Sequence, residues 1–188
     1  MSSMVASPMS DAQPTIDLRL ATLADVPALA ALKLACFRET FLEDFAIPYP
    51  PDDLAQFERE TYGEAQVAAE IADPAHASWV CADDTGMLLG YAHVGPCKLP
   101  HPEVTARSGE LYQIYVRRTT QGMGLGKRLL ATALGWLETH YPGPLWIGVW
   151  SGNERAQAVY AAQGFRKVGD YGFMVGAHRD AEFIFRRD

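Results

Sequence analysis

The sequence predicts a single α/β domain with a mixed β-sheet, and three observations lead to that prediction. The chain has 188 residues, of which 48% are apolar, so it suits one domain with a buried core and is not globally disordered. Its hydrophobic patterns follow the order strand, helices, hairpin, strand, helix, strand, helix and closing strands. No linker-like composition divides residues 15–188, which we therefore take as one domain.

The first part of the chain predicts a disordered start, one strand and three helices. Residues 1–14 are rich in Ser, Met, Pro and Ala and carry no Lys or Arg, which predicts disorder and not a secretory signal. Residues 15–20 alternate apolar and polar side chains, as a strand does. Thr22 and Asp25 form a capping-box pattern that predicts the start of a helix. Two further helical patterns run from Asp52 to Tyr62 and from Glu64 to Ala72.

A β-hairpin and a long loop are predicted in the middle of the chain. Ala77 to Ala82 and Leu88 to Val94 have strand composition, and the residues between them, Asp-Asp-Thr-Gly, are typical of a turn. The loop from Gly95 to Gly109 contains prolines and is long for a connection. Long loops are often functional, so this one is a candidate part of a site.

The last part of the chain alternates strands and helices. Leu111 to Val116 is a predicted strand, and a helix with one apolar face follows the glycine-rich segment after it. Leu145 to Trp150 is almost continuously apolar, as expected for a strand covered on both faces. Ser151 and Glu154 form a second capping-box pattern, which predicts a helix that ends at Gly164. The predicted closing strands are Phe165 to Val168, Tyr171 to Val175 and Glu182 to Arg186.

The net charge of −7 is unevenly distributed. The segment from Glu39 to Asp73 contains ten acidic residues and one basic residue, and we call it the acidic zone. The segment from Arg117 to Arg128 contains four basic residues and no acidic one. An acidic chain is a poor sequence-independent nucleic-acid binder, which needs a surplus of Lys and Arg. The two zones suggest instead that one domain binds groups of opposite charge.

Several other kinds of site and location are disfavoured. The three cysteines are scattered without a Cys-x-x-Cys pair, which fits reduced thiols in the cytoplasm. The five histidines lack the spacing of metal ligands. No apolar run approaches the ~20 residues of a membrane helix. We therefore expect a cytoplasmic protein with no metal, no membrane contact and no nucleic-acid partner.

The glycine-rich segment is the strongest functional motif. It follows a predicted strand, opens a predicted helix and contains glycines at positions 122, 124 and 126. Glycines let backbone N–H groups approach a ligand, and a helix N-terminus favours phosphate, so a pyrophosphate is the expected ligand. The spacing is neither the dinucleotide fingerprint Gly-x-Gly-x-x-Gly nor a nucleotide-triphosphate loop. The alternative is a glycine-rich turn without a ligand.

The motif Gln121-x-x-Gly124-x-Gly126 resembles the signature of the GNAT superfamily of acetyl-coenzyme A-dependent N-acetyltransferases. The resemblance extends over roughly residues 15–186 and implies a mixed, mostly antiparallel twisted sheet flanked by helices. The segment from Trp146 to Phe165 is similar to the polyamine-acetylating branch, except that Val159 replaces the usual Phe.

The resemblance also implies which residues contact acetyl-coenzyme A. The loop amides would hold the pyrophosphate, the preceding strand would pair with the pantetheine arm, and the following helix would add further contacts. The implied residues are Ile114, Tyr115, Val116, Gln121, Gly122, Met123, Gly124, Leu125, Gly126, Lys127, Asn153, Ala156 and Tyr160. A backbone amide near Ile114 would stabilise the oxyanion of the thioester. Asn153 has the alternative role of a helix cap.

Two side chains are candidates for the chemistry of acetyl transfer. The reaction expels a thiolate, and the resemblance implies that the phenol of Tyr160 protonates it; the alternative is a core tyrosine. An attacking amine must first lose a proton, and Glu110 is a candidate base at the start of the strand before the glycine loop. Strand alternation would orient it like Tyr112 and Ile114. The alternative is a solvated strand-end carboxylate.

These residues predict transfer of acetyl to the primary amine of a small cationic acceptor, such as a polyamine, by direct attack in a ternary complex. The acidic zone would attract such a cation, or it is an ordinary solvated helix face. Phe37, Phe41, Phe45 and Tyr49 recur every four residues and line either an acceptor pocket or the core. The rivals are a protein or peptide acetyltransferase, a catalytically silent coenzyme A-binding module and, more distantly, an oxidoreductase. Similar proteins are often dimers, so a homodimer stays an alternative to a monomer.

Overall fold

A computed structural model describes residues 15–188 and gives a seven-stranded sheet with five α-helices in this part of the chain. The predicted disordered start, residues 1–14, lies outside the described residues. The strands are β1 (Asp17–Leu20), β2 (Ala77–Ala82), β3 (Leu88–Pro96), β4 (Gly109–Val116), β5 (Leu145–Trp150), β6 (Arg166–Val175) and β7 (His178–Arg187). The helices are α1 (Val26–Phe37), α2 (Pro51–Tyr62), α3 (Glu64–Ala72), α4 (Leu125–His140) and α5 (Glu154–Ala162), with a π-helical segment (Arg38–Asp44) after α1.

The strands lie in the order β1-β2-β3-β4-β5-β7-β6, and every neighbouring pair is antiparallel except β4 and β5. This confirms the mixed, mostly antiparallel sheet. Strands β4 and β5 pair only through Gly109 with Leu145 and Glu110 with Trp146, although both strands continue for several residues. The middle of the sheet therefore opens into a gap beyond these two pairs.

Helices cover both faces of the sheet. Helix α4 packs Leu129 and Leu137 into a core with Leu111 of β4 and Ile147 of β5. Helices α1 and α3 cover the opposite face around Tyr91. Strand β5 packs Ile147 into the core under α4, and its Trp146 packs with Leu99 and Ile184 in a separate cluster, so the strand is covered on both faces as its apolar run predicts. None of the helices described for residues 15–188 is long and apolar enough to cross a membrane.

Helix α1 ends at Phe37, and the π-helical segment continues from it as far as Asp44. Two local predictions differ from the structure. The cap of α5 is Asn153 and not Ser151, because the Asn153 side chain accepts the N–H of Ala156. The two predicted strands after Gly164 are one strand, β6, which continues through an irregularity between Lys167 and Gly169.

Strand β4 contains a β-bulge that changes which way its side chains point. The residues that pair with Leu111 and Ile114 are two positions apart on β3, whereas Leu111 and Ile114 are three apart. Both side chains consequently face α4, and alternation is interrupted at residues 112–113. The prediction that Glu110 points the same way as Ile114 is wrong, since Glu110 is next to Leu111 and faces the opposite side.

Candidate active site

A cleft of about 690 Å³ opens where β4 and β5 diverge. Its walls are the carboxyl end of β4, the glycine-rich loop with the start of α4, one face of α5, and the π-helical segment. The lining includes all but one of the residues implied as coenzyme contacts: Ile114, Tyr115, Val116, Gln121, Gly122, Gly124, Leu125, Gly126, Lys127, Asn153, Ala156 and Tyr160. The exception is Met123, whose side chain is exposed and outside the lining.

The glycine-rich loop owes its shape to two left-handed residues. Gly122 has φ +86° and Gly124, which caps α4, has φ +78°. An L side chain rarely adopts this conformation, which explains glycine at both positions. The turn delivers the first backbone N–H groups of α4 to the cleft. These groups lack intrahelical partners and lie at the positive end of the helix dipole, so the loop can bind a pyrophosphate.

The basic residues near the glycine-rich loop differ in what they contact. Arg117 donates through Nε to the carbonyl of Leu88 at 2.8 Å and so braces β3. Arg118 forms ion pairs with Glu43 at 3.1 Å and Asp44 at 2.8 Å. Lys127 lies on the cleft wall and adds positive charge there.

Sequence reasoning missed Arg155 of α5. Its guanidinium donates to the side-chain oxygen of Gln121 at 3.3 Å, and both residues line the cleft. This contact joins α5 to the glycine-rich loop across the gap between β4 and β5. Because the pairing depends on how two elements 34 residues apart pack, no local pattern could indicate it.

Tyr160 lies on α5 with 8% of its surface exposed and lines the cleft. Burial raises the pKa of its phenol to about 12, so the hydroxyl keeps its proton at neutral pH. Its charge state and position suit a proton donor to a leaving group in the cleft. Asn153 and Ala156 lie on the same wall, where the side chain of Asn153 caps the helix at 3.0 Å from the N–H of Ala156.

Glu110 lies outside the cleft lining, at the end of the sheet where β4 and β5 are still paired. Only 7% of its surface is exposed, and its Oε2 accepts the backbone N–H of Lys98 at 2.7 Å. Burial raises the pKa of Glu110 to about 7. The residue therefore has the acid–base properties of a proton acceptor without direct access to the cleft.

The acidic zone is partly neutralised and only partly near the cleft. Arg38 pairs with Glu58 at 2.5 Å, and Lys33 pairs with Glu70 at 2.5 Å. Its members at the cleft are Glu39 and Asp44.

Among the four aromatic residues spaced at i, i+4, only Phe45 lines the cleft, where its ring lies 4.3 Å from that of Trp150. Phe37 stacks on Phe41 and Tyr49 in the core between α1, α2 and the closing strands. These four aromatic residues therefore serve mainly in core packing.

Within residues 15–188, no group of three or more His, Cys, Asp and Glu side chains is arranged to hold a metal ion. All three cysteines are free thiols. Burial raises the pKa of Cys36 to about 12, so this thiol on the cleft wall is protonated and a poor nucleophile.

Comparison with known proteins agrees with the geometry of the cleft. A model of the acetyltransferase (GNAT) family matches residues 36–165. An uncharacterized N-acetyltransferase from Lactobacillus delbrueckii subsp. lactis is 31% identical over 163 residues, which are 87% of this chain and 91% of the relative. The N-alpha-acetyltransferase RimI of Mycobacterium tuberculosis is 32% identical over 122 residues, or 65% of this chain and 64% of that protein.

Solved structures share the same fold. The PaiA N-acetyltransferase of Thermoplasma acidophilum, solved in complex with coenzyme A, superposes with a TM-score of 0.68 at 18% sequence identity, over 93% of this chain and 99% of that chain. The chain described here therefore belongs to the GNAT family of acetyltransferases and is an N-acetyltransferase that uses acetyl-coenzyme A.

Proposed function

We propose that this enzyme transfers acetyl from acetyl-coenzyme A to the primary amine of a small cationic acceptor by direct attack in a ternary complex. The observation that carries the proposal is the cleft between β4 and β5, which is lined by both the glycine-rich loop and the buried phenol of Tyr160. A cavity of about 690 Å³ beside the gap between the two strands has room for the thioester and the amine together.

The chemistry follows from these residues. The amine nitrogen attacks the thioester carbon, the N–C bond forms and the C–S bond breaks. Tyr160 gives its proton to the departing thiolate, and the phenolate recovers a proton from the acylated nitrogen. A backbone amide near Ile114 would stabilise the oxyanion of the tetrahedral intermediate. The loop amides from Gln121 to Lys127 would hold the pyrophosphate, which fixes the thioester relative to Tyr160.

The amine must be deprotonated before it attacks, and Glu110 remains the predicted base. Its pKa of about 7 suits that role. Its position outside the cleft lining means that a proton from the amine reaches it only through another group.

Electrostatics support a cationic acceptor. Glu39 and Asp44 lie on the wall formed by the π-helical segment. Arg118 pairs with Asp44, whereas no salt bridge to Glu39 occurs within residues 15–188, so Glu39 adds negative charge to this wall. A polyamine of the kind acetylated by the branch that the sequence resembles fits this charge. The RimI relative favours a second candidate, acetylation of a protein N-terminal amine, because its name assigns it N-alpha acetylation. A cytoplasmic location and a homodimer are also part of this proposal, and both rest on the sequence alone.

An acceptor panel tests this proposal. Thiol release from acetyl-coenzyme A is measured with polyamines, amino acids and peptides with free N-termini, and the product is identified by its mass. We expect turnover with polyamines. Turnover with peptides alone would replace the small acceptor by a protein N-terminus, and no turnover with any amine would favour a catalytically silent coenzyme A-binding module.

A further inference from the structure

The basic side chains that line the cleft differ in how far their charge is already neutralised. Within residues 15–188 these side chains are Arg118, Lys127 and Arg155. Arg118 forms ion pairs with Glu43 and Asp44. No salt bridge to Lys127 or Arg155 occurs in the same part of the chain. The cleft therefore keeps two uncompensated positive charges, one on α4 and one on α5.

The side chain of Arg155 reaches from α5 to the glycine-rich loop. Arg155 lies in the first turn of α5, and its Nη1 donates to Oε1 of Gln121 at 3.3 Å. Gln121 directly precedes the turn that leads into α4 through Gly122 and Gly124. The contact thus places the guanidinium beside the backbone N–H groups that suit a pyrophosphate, and both residues line the cleft.

The contact with Gln121 is weak and leaves most of the guanidinium unused. A guanidinium has five N–H donors, and only Nη1 of Arg155 has a hydrogen-bond partner within residues 15–188. A distance of 3.3 Å is long for an N–H···O bond, and the amide oxygen carries no formal charge. A phosphate would accept two shorter, charge-assisted bonds from the same group. The amide of Gln121 therefore orients the guanidinium without neutralising it.

The position of Arg155 on α5 is unfavourable unless an anion binds nearby. The first turn of a helix lies at the positive end of its dipole, where acidic side chains are stabilising and basic ones are not. The neighbouring residues follow this rule, since Asn153 caps the helix and Glu154 is acidic. Arg155 departs from it. Such a local conflict is typical of a functional position, and a bound anion would offset the repulsion.

We propose that Arg155 binds a phosphate group of coenzyme A through its guanidinium. The coenzyme carries a pyrophosphate and a separate phosphate on the 3′-oxygen of its ribose, so it offers more negative charge than the loop amides alone can neutralise. Arg155 would add the missing positive charge from the α5 side of the cleft. The inference concerns the co-substrate and goes beyond the proposed function, because it does not depend on which amine is the acceptor.

The chain offers a matched control in Arg128. This residue lies in the first turn of α4, is exposed like Arg155, and has no salt bridge within residues 15–188. It follows Lys127 directly but lies outside the cleft lining. Replacement of either arginine by Gln removes one positive charge from the neighbourhood of the loop. A difference between the two variants therefore measures direct contact with the ligand and not long-range attraction.

The test is calorimetric titration of coenzyme A and of 3′-dephospho-coenzyme A into the wild type, Arg155→Gln and Arg128→Gln. We expect Arg155→Gln to raise the Kd of coenzyme A about tenfold, as the loss of a charge-assisted hydrogen bond does. Arg128→Gln should change this Kd less than about twofold, because exposed charges are screened by salt. Arg155→Lys should lie between the wild type and Arg155→Gln, since Lys keeps the charge but loses the planar fork.

The second ligand shows which phosphate Arg155 binds. A loss confined to coenzyme A would assign the contact to the 3′-phosphate, and a loss that persists with 3′-dephospho-coenzyme A would assign it to the pyrophosphate. An unchanged Kd in Arg155→Gln, or an equal loss in Arg128→Gln, would overturn the contact while the proposed function stands. A wild-type protein that does not bind coenzyme A would overturn both.

Discussion

Replacement of Glu110 by Gln should change how the stability of the protein depends on pH. The folded state raises the pKa of this carboxyl from the ordinary 4.5 to about 7 because it is buried. The folded state therefore favours the protonated form. The stability that this provides is fully present below pH 4.5 and is lost as pH rises toward 7. A difference of this size corresponds to about 3 kcal/mol, since one pH unit is worth about 1.4 kcal/mol.

The assay is urea unfolding of the wild type and of Glu110→Gln at a series of pH values from 4.5 to 8. Gln preserves the acceptor for the Lys98 N–H but does not titrate. The free energy of unfolding of the variant, minus that of the wild type, should rise by about 3 kcal/mol across this range. Glu64→Gln, at an exposed helix start, controls for the loss of a charge. A difference that stays constant with pH would refute the argument that burial perturbs Glu110.

The structure also sets the expected outcomes of substitutions at Lys33, Gly124 and Gly135. Lys33→Met should lower the free energy of unfolding by about 3 kcal/mol, because the largely buried Glu70 loses its partner at 2.5 Å. Adding Glu70→Gln to this variant should recover most of that loss. Losses of free energy that simply add in the double variant would contradict the pairing. Gly124→Ala should cost about 1 kcal/mol in thermal unfolding, because φ is +78° there, and should weaken coenzyme A binding. Gly135→Ala in the middle of α4, where a Cβ meets nothing within 4 Å, should instead stabilise the protein by up to about 1 kcal/mol, and a loss at both sites would contradict the role of φ.

The sequence was most informative where local patterns decide the structure. The predicted strands from Ala77 to Ala82 and from Leu145 to Trp150 match β2 and β5 residue for residue, because continuous burial selects β-branched and aromatic side chains. The glycine-rich loop was also predicted correctly as a turn before a helix, since two of its glycines adopt positive φ.

Features that depend on packing between distant segments were not predictable. The bulge in β4 arises from its register with β3, so strand alternation misassigned the direction of Glu110. Asn153 replaced Ser151 as the helix cap because the chain leaves β5 with two turn residues first.

The ion pairs of the acidic zone were missed for the same reason. Arg118 and Asp44 are 74 residues apart and meet only because the π-helical segment and the residues after β4 line the same cleft. An isolated count of charges predicts an acidic surface but not which acids are neutralised. The charge of the segment therefore did not show which of its acidic residues lie at the cleft.

The kinetics of Tyr160→Phe test the central claim, that the phenol in this cleft protonates the leaving thiolate. The measurement is thiol release at saturating acetyl-coenzyme A and acceptor, with coenzyme A affinity determined by titration of the same samples. Because Phe preserves the packing of the buried ring, the affinity should stay within about twofold, whereas kcat should fall about 100-fold. An unchanged kcat, with the coenzyme bound as tightly as in the wild type, would contradict the assignment of Tyr160 as the acid.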